Sequence, residues 1–252
     1  SSSEIINCIF EGNLTVPSAH PDVGEHGGAI YAAYKSKVNI YNSAFRGNEA
    51  YVNGGAIFSL DTADIKAYNT LFTGNVNGET MATSSSGSAI YSDSSKVTLV
   101  NSTIASNYSY HNYSDQYGAA VNNRGADLII RNCIIWENHG KYQIRSANGV
   151  EDVTNSNVQG GFTGSGNMDV IPLFLDPVTT SSTPSTGGNY RLWGNSPVNN
   201  KGVNTALPED IHDLDNDGDT EEPLPYDLNG KERVFAGVVD MGCYEQQFET
   251  VS

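Results

Sequence analysis

The chain has 252 residues, 38% of them hydrophobic and only 17% charged, with 26 glycines. This low-charge, glycine-rich composition excludes a helical bundle and suits short strands joined by many turns. The 29 Asp and Glu against 13 Lys and Arg give a net charge of −16, which excludes the basic footprint of a nucleic-acid binder.

No apolar run reaches the roughly 18–20 residues of a membrane helix, so no membrane insertion is expected in this segment. Cys8, Cys133 and Cys243 have no CxxC or metal-ligand spacing and read as small, buried, apolar residues.

In chain order, INCIF at 6–10, YNSAF at 41–45, YNTLF at 68–72, VNSTI at 100–104 and RNCII at 131–135 form a repeat series, with a degenerate sixth copy at 154–158. Successive Asn residues are 35, 27, 32, 31 and 23 positions apart, the mark of a constant strand core with variable loops. Ahead of each Asn, Val38/Ile40, Ile65/Ala67, Val97/Leu99 and Leu128/Ile130 alternate with period two. Continuing that period puts Asn42, Asn69, Asn101 and Asn132 inward, in a stack. A second Asn follows in Gly12-Asn13, Gly47-Asn48, Gly74-Asn75, Ser106-Asn107 and Glu137-Asn138, where a left-handed turn is wanted.

A third strand follows in GGAIY at 27–31, GGAIF at 54–58, GSAIY at 87–91 and GAAVN at 118–122. Strand, bend, strand, turn, strand in each repeat is the coil of a single-stranded parallel β-helix. The expected protein is all-β, with about six recognisable coils over residues 1–161 and a loop-rich closing segment over 162–252 in the same domain. An open coil is an exposed sheet edge, so further coils or a cap are expected ahead of Ser1, on a monomer.

The closing segment carries PLFLDP at 172–177, YRLWGNSPV at 190–198, DLNGKER at 227–233 and VDMGCYE at 239–245. With the GGAIY coils, these resemble bacterial secreted β-helix proteins of the polymorphic-outer-membrane-repeat and choice-of-anchor Q type. The resemblance implies export to the cell surface, a right-handed, pectate-lyase-like helix, and a sorting tail beyond residue 252. One departure is Cys243, where that family usually has Ala. The resemblance does not imply an enzyme, because this superfold carries lyases, hydrolases, adhesins and spikes alike.

The sharpest chemical motif is DLDNDGDTEE at 213–222. Carboxylates at alternate positions followed by Gly reproduce the first half of an EF-hand-type calcium loop. Position 12 would be Leu224, so Glu222 or Asp227 must supply the missing ligand. Asp213, Asp215, Asp217, Asp219 and Glu222 are the expected ligands of a structural Ca²⁺; the alternative is a solvated acidic loop.

Three long inter-coil loops, 14–26, 76–86 and 108–117, leave from equivalent turns and would wall a groove on one side of the column. His20, Asp22 and His26 in the first, and Tyr108, Tyr110, His111, Tyr113, Asp115 and Tyr117 in the third, are the candidate ligand-binding residues. Rings beside carboxylates suit a carbohydrate, such as a host or cell-surface glycan, since a ring face packs on the sugar's C–H face. A transition-metal reading of His20, Asp22, Glu25 and His26 matches no known ligand spacing. The outward columns Tyr31/Phe58/Tyr91 and Tyr41/Tyr68 read as packing ladders, and Lys37, Asp64 and Lys96 as an alternating-sign ladder.

No catalytic residues are assigned. The leading expectation is a secreted or cell-surface β-helix acting in adhesion or glycan binding without catalysis. The rivals are a polysaccharide lyase or glycoside hydrolase working in the loop groove, and a passive spacer.

Overall fold

A computed structural model describes residues 1–17, 25–78, 86–110 and 119–247. The chain winds as a parallel β-solenoid with three main faces. The first face stacks Ser2–Ile6, Lys37–Tyr41, Asp64–Tyr68, Lys96–Val100, Leu128–Arg131 and Glu151–Thr154. On the second lie Ile9–Glu11, Ala44–Arg46, Leu71–Thr73, Thr103–Ala105, Ile134–Trp136 and Asn157–Val158. The third holds Ile30–Ala32, Ile57–Leu60, Ile90–Asp93, Ala119–Arg124 and Tyr142–Ala147. With six, six and five strands among the described residues, the solenoid shows five full coils and a sixth without a described third strand, slightly short of the six expected. A narrow corner sheet of Glu49–Ala50, Val76–Asn77 and Tyr108–Ser109 joins the second face to the third.

Register sets the core. Val38, Ile65, Val97 and Leu128 stand in one column of the first face, and Ile30, Ile57, Ile90, Val121 and Ile144 in one column of the third. On the second face Phe10, Phe45 and Phe72 stack, with ring centroids 4.7 and 4.9 Å apart. Truncating such a buried ring costs about 3–5 kcal/mol in transfer and cavity terms, so these columns are the main source of stability.

Two polar ladders run through the interior. Asn48 donates through Nδ2 to Asn75 Oδ1 (2.9 Å), Asn75 to Asn107 (2.8 Å) and Asn107 to Asn138 (2.8 Å). The same oxygens accept the backbone N–H of Asn48, Asn75 and Asn107, so amides that would otherwise be orphaned inside the column are satisfied. The second ladder runs through Ser102, Cys133 and Ser156, with Cys133 in a column of hydroxyl residues; Thr70 N–H donates to Ser102 Oγ, and Cys133 N–H to Ser156 Oγ.

The second set of pairs turns left-handed as expected, but the first Asn column does not point into the core. Asn42, Asn69, Asn101 and Asn132 take the left-handed backbone, with φ of 45°, 47°, 48° and 54°, and the strand's period-two alternation stops there. Beside the second column the left-handed position is the preceding residue, Gly47, Gly74, Ser106 or Glu137. Asn69 and Asn101 reach instead to the closing segment, donating to Tyr226 O (2.8 Å) and Asp240 O (3.1 Å), while Asn132 donates to Val203 O (3.0 Å).

Residues 162–170 fold over the last coil, where Asn167 donates to Val153 O (2.8 Å) and Phe162 packs on the core; from Phe174 on, the closing segment lies along the solenoid. It covers the outer side of the second face, where Ala44, Leu71, Ala105, Ile134 and Trp136 form a second core with Phe174, Tyr190, Leu192, Val198 and Met241. Cys133 and Cys243 are buried as expected, but Cys8, on the first coil, is exposed. No helix among the described residues is long and apolar enough to cross a membrane.

Candidate functional site

The acidic loop is closed at its base by two backbone bonds, Asp210 N–H to Glu222 O (2.7 Å) and Leu224 N–H to Pro208 O (2.9 Å). Within it the carboxylates order the backbone. Gly218 N–H donates to Asp213 Oδ1 (3.1 Å), Asp217 N–H to Asp215 Oδ1 (3.3 Å) and Asp219 N–H to Asp217 Oδ1 (2.7 Å). Gly218 has φ of +88°, the left-handed turn for which the motif keeps a glycine.

Two carboxylate triads result, Asp213/Asp215/Asp217 and Asp210/Asp215/Glu222, each with ligand atoms within 4.8 Å of one another. That is the span of an oxygen shell at about 2.4 Å around Ca²⁺. Of the five expected ligands, the structure brings together Asp213, Asp215, Asp217 and Glu222. Asp219 lies outside both triads, with its Oδ1 accepting the Glu221 N–H at 3.0 Å.

Asp210 is the member that spacing alone did not find. It is buried, its Oδ2 accepts the Leu214 N–H at 2.6 Å, and its Oδ1 is buried without a hydrogen-bond partner. Burial first, then the charges of Asp215 and Asp213, raise the Asp210 pKa against the pull of its backbone donors. Glu222 is raised by desolvation and then by Asp215, Asp217, Asp219 and Asp210, and its Oε1 is likewise buried without a partner. Carboxylates that repel one another around unsatisfied oxygens fit a hard divalent cation, which either triad would hold, with Asp215 common to both.

The loop side of the column can be placed from its described flanks. Leu14 pairs with Glu49, and Val76 pairs with both Glu49 and Tyr108, so all three long loops depart from one corner. They return to the third face, whose strands are in register at Ile30, Ile57, Ile90 and Val121. His20, Asp22, His111, Tyr113, Asp115 and Tyr117 lie outside the described residues.

At the departure corner Tyr108 stacks on His139, with centroids 4.1 Å apart and planes 7° from parallel. Tyr110 stands edge-on to Tyr108 at 5.1 Å and 77°, and is 37% exposed. His139 Nδ1 lies 3.0 Å from Ser109 O, which holds the imidazole in place. Below the shelf, Glu137, His139, Gln159 and Thr179 line a cavity of about 430 Å³. His139 could have been found from the repeat itself: it follows Asn138 as Tyr108 follows Asn107 and Val76 follows Asn75.

His26 belongs elsewhere. Its ring stacks on Phe58 at 4.4 Å, joining a third-face column in which Tyr31–Phe58 and Phe58–Tyr91 are 5.2 and 5.5 Å apart. Burial lowers its pKa although Glu25 pulls the other way. Lys37, Asp64 and Lys96 stand in direct register along the first face, an alternating row rather than a convergent catalytic set.

The Chlamydia polymorphic membrane protein repeat matches residues 7–33 and 42–60. The two matched stretches are offset by 35 residues and run from the left-handed Asn7 and Asn42 through the second face into the third, so they are stacked copies of one unit. This chain is a β-helix repeat protein. No curated protein and no solved structure matches it.

Proposed function

We propose that this β-helix repeat protein is displayed at a bacterial cell surface, where it acts in adhesion by binding glycans and does not turn them over. The observation that carries the reading is the Tyr108–His139 stack with Tyr110 at its edge, at the corner from which the three long loops leave. Flat rings of this kind offer a face to a sugar's C–H surface, and Glu137, Gln159 and Thr179 beside them offer acceptors and donors for hydroxyls. The matched repeat is named for a membrane protein of Chlamydia, which supports surface display.

The acidic loop serves this role as a structural element. Ca²⁺ bound by these carboxylate triads, with Asp215 common to both, partly neutralises the loop and holds the closing segment on the coils.

A glycan array probed with residues 1–252, followed by overnight incubation of each bound glycan and mass spectrometry, tests the reading. Bound glycans recovered intact are the expected result. An array with no hits, or shortened or unsaturated products from a hit, overturns it in favour of a spacer or of a lyase or hydrolase, respectively.

A further inference from the structure

The closing segment builds a second recessed surface, in a part of the molecule that shares no lining residue with the Tyr108 shelf. It consists of two adjoining cavities that meet at Asn229. One, of about 310 Å³, is lined by Arg191, Trp193, Lys231 and Gln246. The other, of about 260 Å³, is lined by Asn42, Arg46, Leu228 and Tyr244. Tyr244 lines the second, with the charges of Arg46 and Arg191 both acting on its phenol. Together they reach the size of a ligand cleft.

The charge of this groove runs against that of the protein. In a chain with 13 cationic residues and a net charge of −16, Arg46, Arg191 and Lys231 all face it. Among the described residues neither Arg46 nor Lys231 has an ion-pair partner, and the Arg46 Nε is buried without a hydrogen bond. The Arg191 Nε donates to the side-chain oxygen of Asn189, at 3.1 Å.

The two carboxylates in the lining are already used. Asp227 accepts the N–H groups of Asn229, Lys231 and Glu245, and Glu245 accepts those of Phe235 and Asp240 beside the buried Arg233. Trp193, 53% exposed, gives the same cavity an uncovered indole face. Unneutralised guanidinium and ammonium groups flanking an open indole are the chemistry that recognises a sugar ring bearing an anion.

We propose that the groove running from Arg46 through Asn229 and Tyr244 to Arg191, Lys231 and Trp193 binds an acidic saccharide, with its anionic group held by the cations and a ring packed on Trp193. This site is independent of the Tyr108 shelf, and each can fail while the other stands.

The test reads Trp193 fluorescence, with Trp136, only 6% exposed, as the insensitive background. The probes are tetragalacturonate, its neutral methyl ester and a sulfated heparin tetrasaccharide. Tetragalacturonate or the sulfated tetramer is expected to shift and quench the emission, reversibly with salt, while the methyl ester does not. Whichever acidic tetramer binds tighter identifies the anion as carboxylate or sulfate. Combining Arg191→Gln with Lys231→Gln is expected to weaken binding by at least about tenfold, and Tyr110→Ala to leave it unchanged. Lys231→Gln alone, at a side chain without an ion pair, keeps the test open if the double variant does not fold. No binding of either acidic tetramer, equal binding of the ester, or undiminished binding by the glutamine variants would overturn the proposal.

Discussion

His212 stands edge-on to Tyr41, with ring centroids 4.9 Å apart at 80°, and its Nε2 lies 3.4 Å from Glu4 Oε2. The acidic loop on either side of His212 is thereby docked on the first two coils, while Val203, earlier in the closing segment, is bonded to Asn132 on the fifth. Between Val203 and His212 the closing segment thus runs from a late coil to the early ones, and Asp240 and Gly242 return it to Asn101 and Asn132 on the fourth and fifth.

Calcium is for this reason expected to stabilise more than its own loop. At a hundredfold excess over its dissociation constant, a ligand of the native state adds about 2.7 kcal/mol, worth about 5–10 °C in a domain of this size. Melting EDTA-stripped protein with and without added Ca²⁺ should show such a rise, and Asp215→Asn, at the residue shared by both triads, should abolish it. An unchanged melting temperature would contradict the assignment.

The Asn ladder makes a separate prediction. Asn75→Ala removes the acceptor of the Asn48 N–H, while Asn48 Nδ2 keeps Phe10 O and Asn107 Oδ1 keeps the backbone N–H of residue 75. A buried orphan costs about 1–3 kcal/mol, so urea unfolding should show a loss of about that size. Asn13→Ala, at the exposed first coil, should cost under about 1 kcal/mol.

Much of this was legible before the structure. Strand columns such as Ile57/Ile90/Val121 follow from repetition, because a coil can stack only on residues like its own. The inward position of the first Asn column does not hold, because period-two reading applies only while a strand continues and Asn42 turns left-handed at φ 45°. Asp210 escaped because its membership of the site depends on the backbone pairing with Glu222, which no local spacing records. Trp193, Arg191 and Lys231 come together only when two distant parts of the closing segment fold against each other.

Stability should depend on pH through the closing segment. Burial pushes the Glu245 carboxyl up to about 8 against the pull of Arg233, and burial likewise raises Asp240. From the ordinary carboxylate range up to about 8, the folded state holds protons that the unfolded state has released, so stability falls as pH rises through this window. His26, whose pKa is lowered from 6.5, acts in the opposite sense and only below about that value. Thermal melts in EDTA from about pH 6.5 to 8 should therefore decline, and Glu245→Gln should flatten the slope. A flat or rising wild-type profile would contradict the burial argument.

The adhesion reading is tested most directly by isothermal titration of an array-identified glycan into wild-type protein and the Tyr108→Ala variant. Loss of the ring that stacks on His139 is expected to weaken binding by about tenfold or more, with the melting temperature nearly unchanged because Tyr108 is only half-buried. Equal affinity in the two proteins would contradict the claim that this shelf is where the glycan binds.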